Sequence, residues 1–134
     1  MSKQQEKELF FFLLNKQSYF DLIFAEFKIN FSKELSVDNL IKLENEIIKR
    51  KRLINEEIKI AFSFLVGEII IKELNGNWAI CSVKKDPSYN LPIILNWGKS
   101  GEDNMRLSPV EWIELFISEK IRLGTISAMI LQNK

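Results

Sequence analysis

The sequence predicts an α+β fold, in which helices lead into a small antiparallel sheet of two or three strands and a C-terminal helix closes the chain. Three observations point there. The stretch 58–74, IKIAFSFLVGEIIIKEL, carries a single charge, Glu68, between Lys59 and Lys72. Its apolar residues cover most of a helical circumference, and such a helix belongs in the middle of a domain. After Gly76 the patterning turns from helical to extended, with β-type runs at 77–83 (NWAICSV) and 91–97 (LPIILNW). Ser108-Pro109-Val110-Glu111 then supplies a cap, a proline for the first helical position and a glutamate for the third.

Taken in order, residues 3–31 place Leu9, Leu13, Phe20, Phe24, Phe27 and Phe31 at close to helical spacing, with Lys16 filling the gap. Ser18 followed by Asp21 offers a fresh cap, so the segment is one long helix or two with a break near 15–18. Phe10, Phe11 and Phe12 exceed what one apolar stripe requires. Either this helix is buried on two sides, or it presents a surface that meets another protein chain.

Ser36 caps a helix through Leu40, Leu43, Ile47 and Ile48, with Asp38 in its first turn. Lys49-Arg50-Lys51-Arg52 ends it and reads as a solvated helix terminus that complements the dipole. A nucleic-acid surface needs more phosphate contacts than this. The central helix follows from about Leu53 and stops at Asn75-Gly76, which suits a left-handed cap.

The two β runs are separated by KKDPSYN, whose Asp-Pro and Asn are turn chemistry. So short a link cannot hold a parallel crossover, so the pair is an antiparallel hairpin. Pro92 suits an edge or the first residue of a strand. Residues 98–103 form a polar turn, and 104–107 can add a short third strand. The helix begun at Ser108 buries Trp112, Ile113, Phe116, Ile117 and Ile121 and is expected to end at Gly124. The last run, TISAMIL at 125–131, reads as a short apolar tail that packs back onto the core.

Composition bounds the function. A chain of 134 residues with 46% apolar content fits one domain with a real core and argues against disorder. The net charge of +1 leaves no broad footprint for nucleic acid. The apolar interval around Glu68 is too short to span a bilayer, and the start, MSKQQEKEL, is no secretory signal, so a cytoplasmic protein without a membrane partner is expected. Histidine is absent, which removes the usual general base, proton shuttle and commonest metal ligand. Cys81, the single cysteine, rules out an intramolecular disulfide or a thiolate cluster within one chain and reads as a small buried residue. No phosphate loop or nucleophile motif is present, and no metal or cofactor is expected.

Four residues stand out as candidate binding residues: Glu68, Trp78, Trp97 and Arg106. Glu68, flanked by Gly67 and an isoleucine triplet, must be paired, protonated or turned to a rim. Structurally it accepts hydrogen bonds from the Trp78 indole, Arg106 or nearby backbone, with Gly67 letting another element approach. Functionally it is a carboxylate at the floor of a cleft. Trp97, just before the polar turn, is either packing or an exposed binding anchor, with Arg106 and Glu102-Asp103 on a polar rim around it.

The order of parts SVDNLIKLENEIIKRKR, LVGEIIIKELNGNW, a hairpin, SPVEWI and RLGTIS resembles a group of small, mostly uncharacterised bacterial domains. Their pattern pairs an L-G-E-x-I…G-G-x-W helix-to-strand junction with an S-L-x-x-L-(D/E)-x-x-I-x-x-x-R helix and a P-F…G…S-I ending. Leu43, Glu44 and Arg52 fall on the helix motif, Gly67, Glu68, Gly76 and Trp78 on the junction, and Pro109, Gly124 and Ser127 on the ending. Asn75 stands where the first glycine of the pair would be, and Val110 replaces the aromatic after Pro109. The resemblance runs from about residue 31 to 127. It implies a small cytoplasmic protein, some relatives of which lie near polymorphic toxin systems, and it brings no catalytic residues. The expected function is a protein-interaction module of the immunity type that binds and occludes a partner toxin, without catalysis; a homodimer is open. The competing class is a small-ligand binder or enzyme using a pocket around Glu68, Arg106 and Trp97.

Overall fold

The computed structural model describes residues 1–30 and 35–134, so Phe31, the last position of the first apolar stripe, lies outside the described residues. Among the described residues there are six α-helices and two strands, an α+β arrangement as the sequence predicts. Helix α1, Lys3–Leu14, opens with a reciprocal capping box between Ser2 and Gln5. Helix α2, Lys16–Phe27, follows after one residue, Asn15, so the first segment is two helices. The break falls at Asn15, whose side-chain amide donates to the Phe11 carbonyl at 2.9 Å. Ser18 is therefore already inside α2 and caps nothing.

Helix α3, Val37–Lys49, starts at its predicted cap, the Ser36 hydroxyl accepting the Asn39 N–H. A single 3-10 turn, Lys51–Leu53, delays the central helix, α4, to Glu56–Leu74, capped by Asn55 Oδ1 on the Ile58 N–H at 2.8 Å. Phe62, Phe64, Leu65, Ile69 and Ile70 of α4 are each at most 1% exposed, as an all-round apolar helix requires. Phe64 is the hub: its ring meets Phe12 of α1, Tyr19 and Phe20 of α2, and lies parallel to Trp78 at 6.1 Å. Asn75 ends α4 with φ +64°, and the Gly98 N–H satisfies the Leu74 carbonyl at 2.7 Å.

Strands β1, Asn77–Ile80, and β2, Pro92–Leu95, pair antiparallel with Asn77 opposite Leu95 and Ile80 opposite Pro92. Both are shorter than the β-type runs that contain them. The third strand is reduced to one bridge, Leu107 exchanging both backbone hydrogen bonds with Ile94 at 2.8 and 3.0 Å. The sheet separates two apolar groups. Trp78 and Ile94 face the main core, which extends from Phe12 to Ile130, while Ala79, Cys81 and Ile93 form a smaller cluster. That alternation is the period-2 geometry of a strand.

The C-terminal part departs from expectation. Helix α5, Pro109–Ile117, begins at its Ser108 cap but ends at Ser118, not at Gly124. Gly124 instead precedes a further helix, α6, Thr125–Gln132, and takes φ +85°, a conformation glycine adopts without steric cost. The expected tail is thus helical, because Ile126 and Ile130, one turn apart, both reach the core at 1% exposure or less.

Candidate functional site

Glu68 and Trp78 meet at the junction of α4 and β1. The Trp78 indole Nε1–H donates to Glu68 Oε2 at 3.3 Å, and Lys16 of α2 stands 3.8 Å from Oε1. With its side chain 22% exposed, Glu68 occupies a rim between α2 and the sheet and is not the floor of a cleft. Gly67 permits the arrangement: a Cβ there would overlap the Trp78 ring at Cη2 and Cζ2. The exposed Lys16 pair adds little, so the indole hydrogen bond is the principal link.

Trp97 is not an exposed anchor. Its residue exposure is 9%, its Nε1–H donates to the Met105 carbonyl at 2.6 Å, and its own carbonyl accepts the Asn104 amide at 2.7 Å. The segment just past the polar turn folds back and supplies the acceptor an indole needs when buried. Arg106 is held elsewhere again. It donates through Nε and Nη2 to both oxygens of Asp86 at 2.9 and 2.7 Å, and through Nη1 to Glu111 at 3.0 Å. Below it the buried hydroxyls of Ser88 and Ser108 share a 2.7 Å hydrogen bond. The Arg106 guanidinium, followed by the Ser88 N–H, holds the Asp86 carboxyl below its ordinary value of 3.8. Glu68, Arg106 and Trp97 therefore have separate partners and do not converge on one pocket.

Among the described residues, two surfaces stand out for their apolar side chains. A cavity of about 390 Å³ lies against the sheet, lined by Ala79, Cys81, Val83, Ile93 and Leu95, with Trp78 and Arg106 also on its wall. It is chiefly apolar, and Cys81 is buried at 1% as expected of a packing residue. The other surface is the outer side of α1 and α2. Phe10 is 61% exposed, Leu14 64%, and Phe11 and Phe24 about half. Phe12, by contrast, turns inward at 7%, so the three consecutive phenylalanines divide between core and surface. Phe10 and Phe11 pack edge to face at 5.8 Å, and with Leu13 and Leu14 they cover one side of the last turns of α1.

The basic run after α3 behaves as a helix terminus. Arg50 reaches Glu46 and the Glu26 carbonyl and lies over the Phe27 ring, while Lys51 pairs with Glu119 at 2.7 Å. Among the described residues no three Cys, Asp or Glu side chains gather to hold a metal ion, and no helix is long and apolar enough to cross a membrane.

The sequence reading did not single out Asp86 or Gln5. Asp86 reads locally as turn chemistry, yet it accepts from an arginine twenty residues away. Gln5, buried at 6%, donates to the Cys81 carbonyl and to Asn90, tying α1 to the hairpin. Comparison of the chain with protein-family models, with curated proteins and with solved structures yields no match.

Proposed function

We propose that this chain is a protein-interaction module of the immunity type, which acts by covering a functional surface of a partner protein, a toxin in the most concrete form. The observation that carries the reading is the set of exposed apolar side chains on α1 and α2, Phe10, Phe11 and Leu14 on the last turns of α1 and Phe24 on α2, each about half exposed or more. An apolar group of this kind on a monomer marks an interaction site, and buried aromatic anchors carry most interface energy. The choice of a toxin as partner follows the resemblance read from the sequence to small bacterial domains, some of which lie near toxin systems. The lone, buried Cys81 supports a reducing, cytoplasmic setting. The mechanism is occlusion: the phenylalanines fill a cleft on the partner, and no bond is made or broken.

The test is affinity for a partner identified in the native host. Phe10→Ala and Phe11→Ala are each expected to raise Kd by about 30-fold, equivalent to about 2 kcal/mol. Melting temperature should be unchanged, since both side chains already face solvent. Turnover of a small substrate that Glu68→Gln abolishes in a folded protein would replace this reading by the enzymatic one.

A further inference from the structure

The basic run Lys49-Arg50-Lys51-Arg52 follows α3 at the surface, and the tertiary structure enlarges it. Lys51 pairs with Glu119 at 2.7 Å, and Glu44 of α3 accepts the Gly124 N–H at 2.6 Å. These two contacts lay the segment 119–124 alongside the second half of α3 and the turn after it. Lys120 and Arg122 of that segment are exposed. The stretches 46–52 and 119–122 together hold six cations and two carboxylates, a net +4 in a chain whose total is +1.

Two of the six cations are occupied. Arg50 is held by Glu46, the Glu26 carbonyl and the Phe27 ring, and Lys51 by Glu119. The side chains of Lys49, Arg52, Lys120 and Arg122 have no ion-pair partner among the described residues. Of the other acids on the adjoining elements, Glu56 and Glu114 are taken by Lys59. The balance stays positive when the exposed Glu26 and Glu57 are counted as well. Apolar side chains stand among these charges. Ile48 is 37% exposed, Leu53 46% and Leu123 45%. Leu53 directly follows the basic run, Leu123 adjoins Gly124, and Ile48 lies one helical turn beyond the Glu44 that Gly124 meets.

We propose that this face docks the protein on an anionic lipid surface, with Lys49, Arg52, Lys120 and Arg122 at the headgroup phosphates and Ile48, Leu53 and Leu123 in the interfacial layer. Reversible attachment to a membrane surface takes two signals, buried apolar groups and a basic cluster, and the face supplies both. The long stems of lysine and arginine lie along the aliphatic side chains while their charged heads stay at the phosphates. Single-stranded nucleic acid fits less well, because the stretches 46–53 and 119–123 contain no aromatic ring on which a base could stack. The attachment is to the surface alone, since no helix is long and apolar enough to cross a membrane among the described residues. None of these side chains lies on α1 or α2, so the docking face is independent of the proposed binding role.

The experiment is co-sedimentation of the full chain with vesicles of phosphatidylcholine alone and of phosphatidylcholine with about 30% phosphatidylglycerol. Binding is expected to the anionic vesicles only, and to be lost at about 0.5 M salt. The double variant Lys49→Gln, Arg52→Gln should lower the partition coefficient by about 30-fold, and Leu53→Ala by about fivefold. Phe10→Ala and Phe11→Ala should leave it unchanged. Acetylation of the natural chain by a water-soluble reagent locates the face without any variant. Anionic vesicles should protect Lys49 and Lys120 and leave the exposed Lys84, Lys85 and Lys99 reactive. Equal binding to both vesicles, or none to the anionic ones, overturns the inference. So does protection of Lys84, Lys85 or Lys99 in place of Lys49 and Lys120, or binding that survives the double variant and is lost with Phe10 and Phe11. Tighter binding to a short DNA duplex than to the anionic vesicles would assign the face to nucleic acid instead.

Discussion

At the scale of single residues, most of the informative contacts are polar groups that meet one partner. Glu68 accepts the Trp78 indole from a partly exposed position, so Glu68→Ala should cost about 1 kcal/mol by leaving that N–H without its acceptor. Glu68→Gln, which keeps a carbonyl oxygen there, should cost less; denaturant midpoints of both variants check the order. Gly67→Ala should cost more, about 1–3 kcal/mol, since a methyl must displace the Trp78 ring. Asp86 gives a pH signature. Its folded pKa is depressed chiefly by Arg106, so its contribution is present above 3.8 and lost as pH falls through the lower folded value. Stability curves measured toward acid should therefore fall less steeply in Arg106→Met than in the natural chain.

At the scale of elements, what was legible in the sequence was what is decided locally. Ser36 and Ser108 cap their helices because a cap needs a side-chain oxygen and an N–H three residues on. The hairpin follows from extended patterning and a link too short for a crossover. What escaped was decided at a distance. Helix α6 has no side-chain cap of its own, and the carboxylate at its start comes from Glu44 on α3. Trp97 precedes a polar turn that suggests exposure, yet the Met105 carbonyl just beyond that turn receives its indole. The split of Phe10, Phe11 and Phe12 depends on where α1 rests against Trp78 and Phe64, which spacing alone does not fix. Phe64 joins α1, α2 and β1 to α4, so Phe64→Ala should cost about 3–5 kcal/mol. Asn55→Ala, which removes only the cap of α4, should cost about 1 kcal/mol. Thermal unfolding of the two variants separates packing from capping.

At the scale of the whole molecule, apolar side chains are unevenly exposed. Met105 at 83%, Val83 at 60% and Leu131 at 61% are about as open as Phe10 or more so, but each belongs to a different element or loop. On α1–α2 the exposed residues share helices and, for Phe10 and Phe11, direct ring contact. A partner of the proposed kind should meet the grouped residues and pass over the scattered ones. The most direct measurement replaces single residues by a photoreactive amino acid and maps adducts in cells of the native host. Phe10, Phe11, Leu14 and Phe24 are the test positions, and Val83, Met105 and Leu131 the controls. The predicted result is one protein adduct formed from the α1–α2 positions and none from the controls. Adducts formed from Val83 or Met105, with α1–α2 silent, would contradict it.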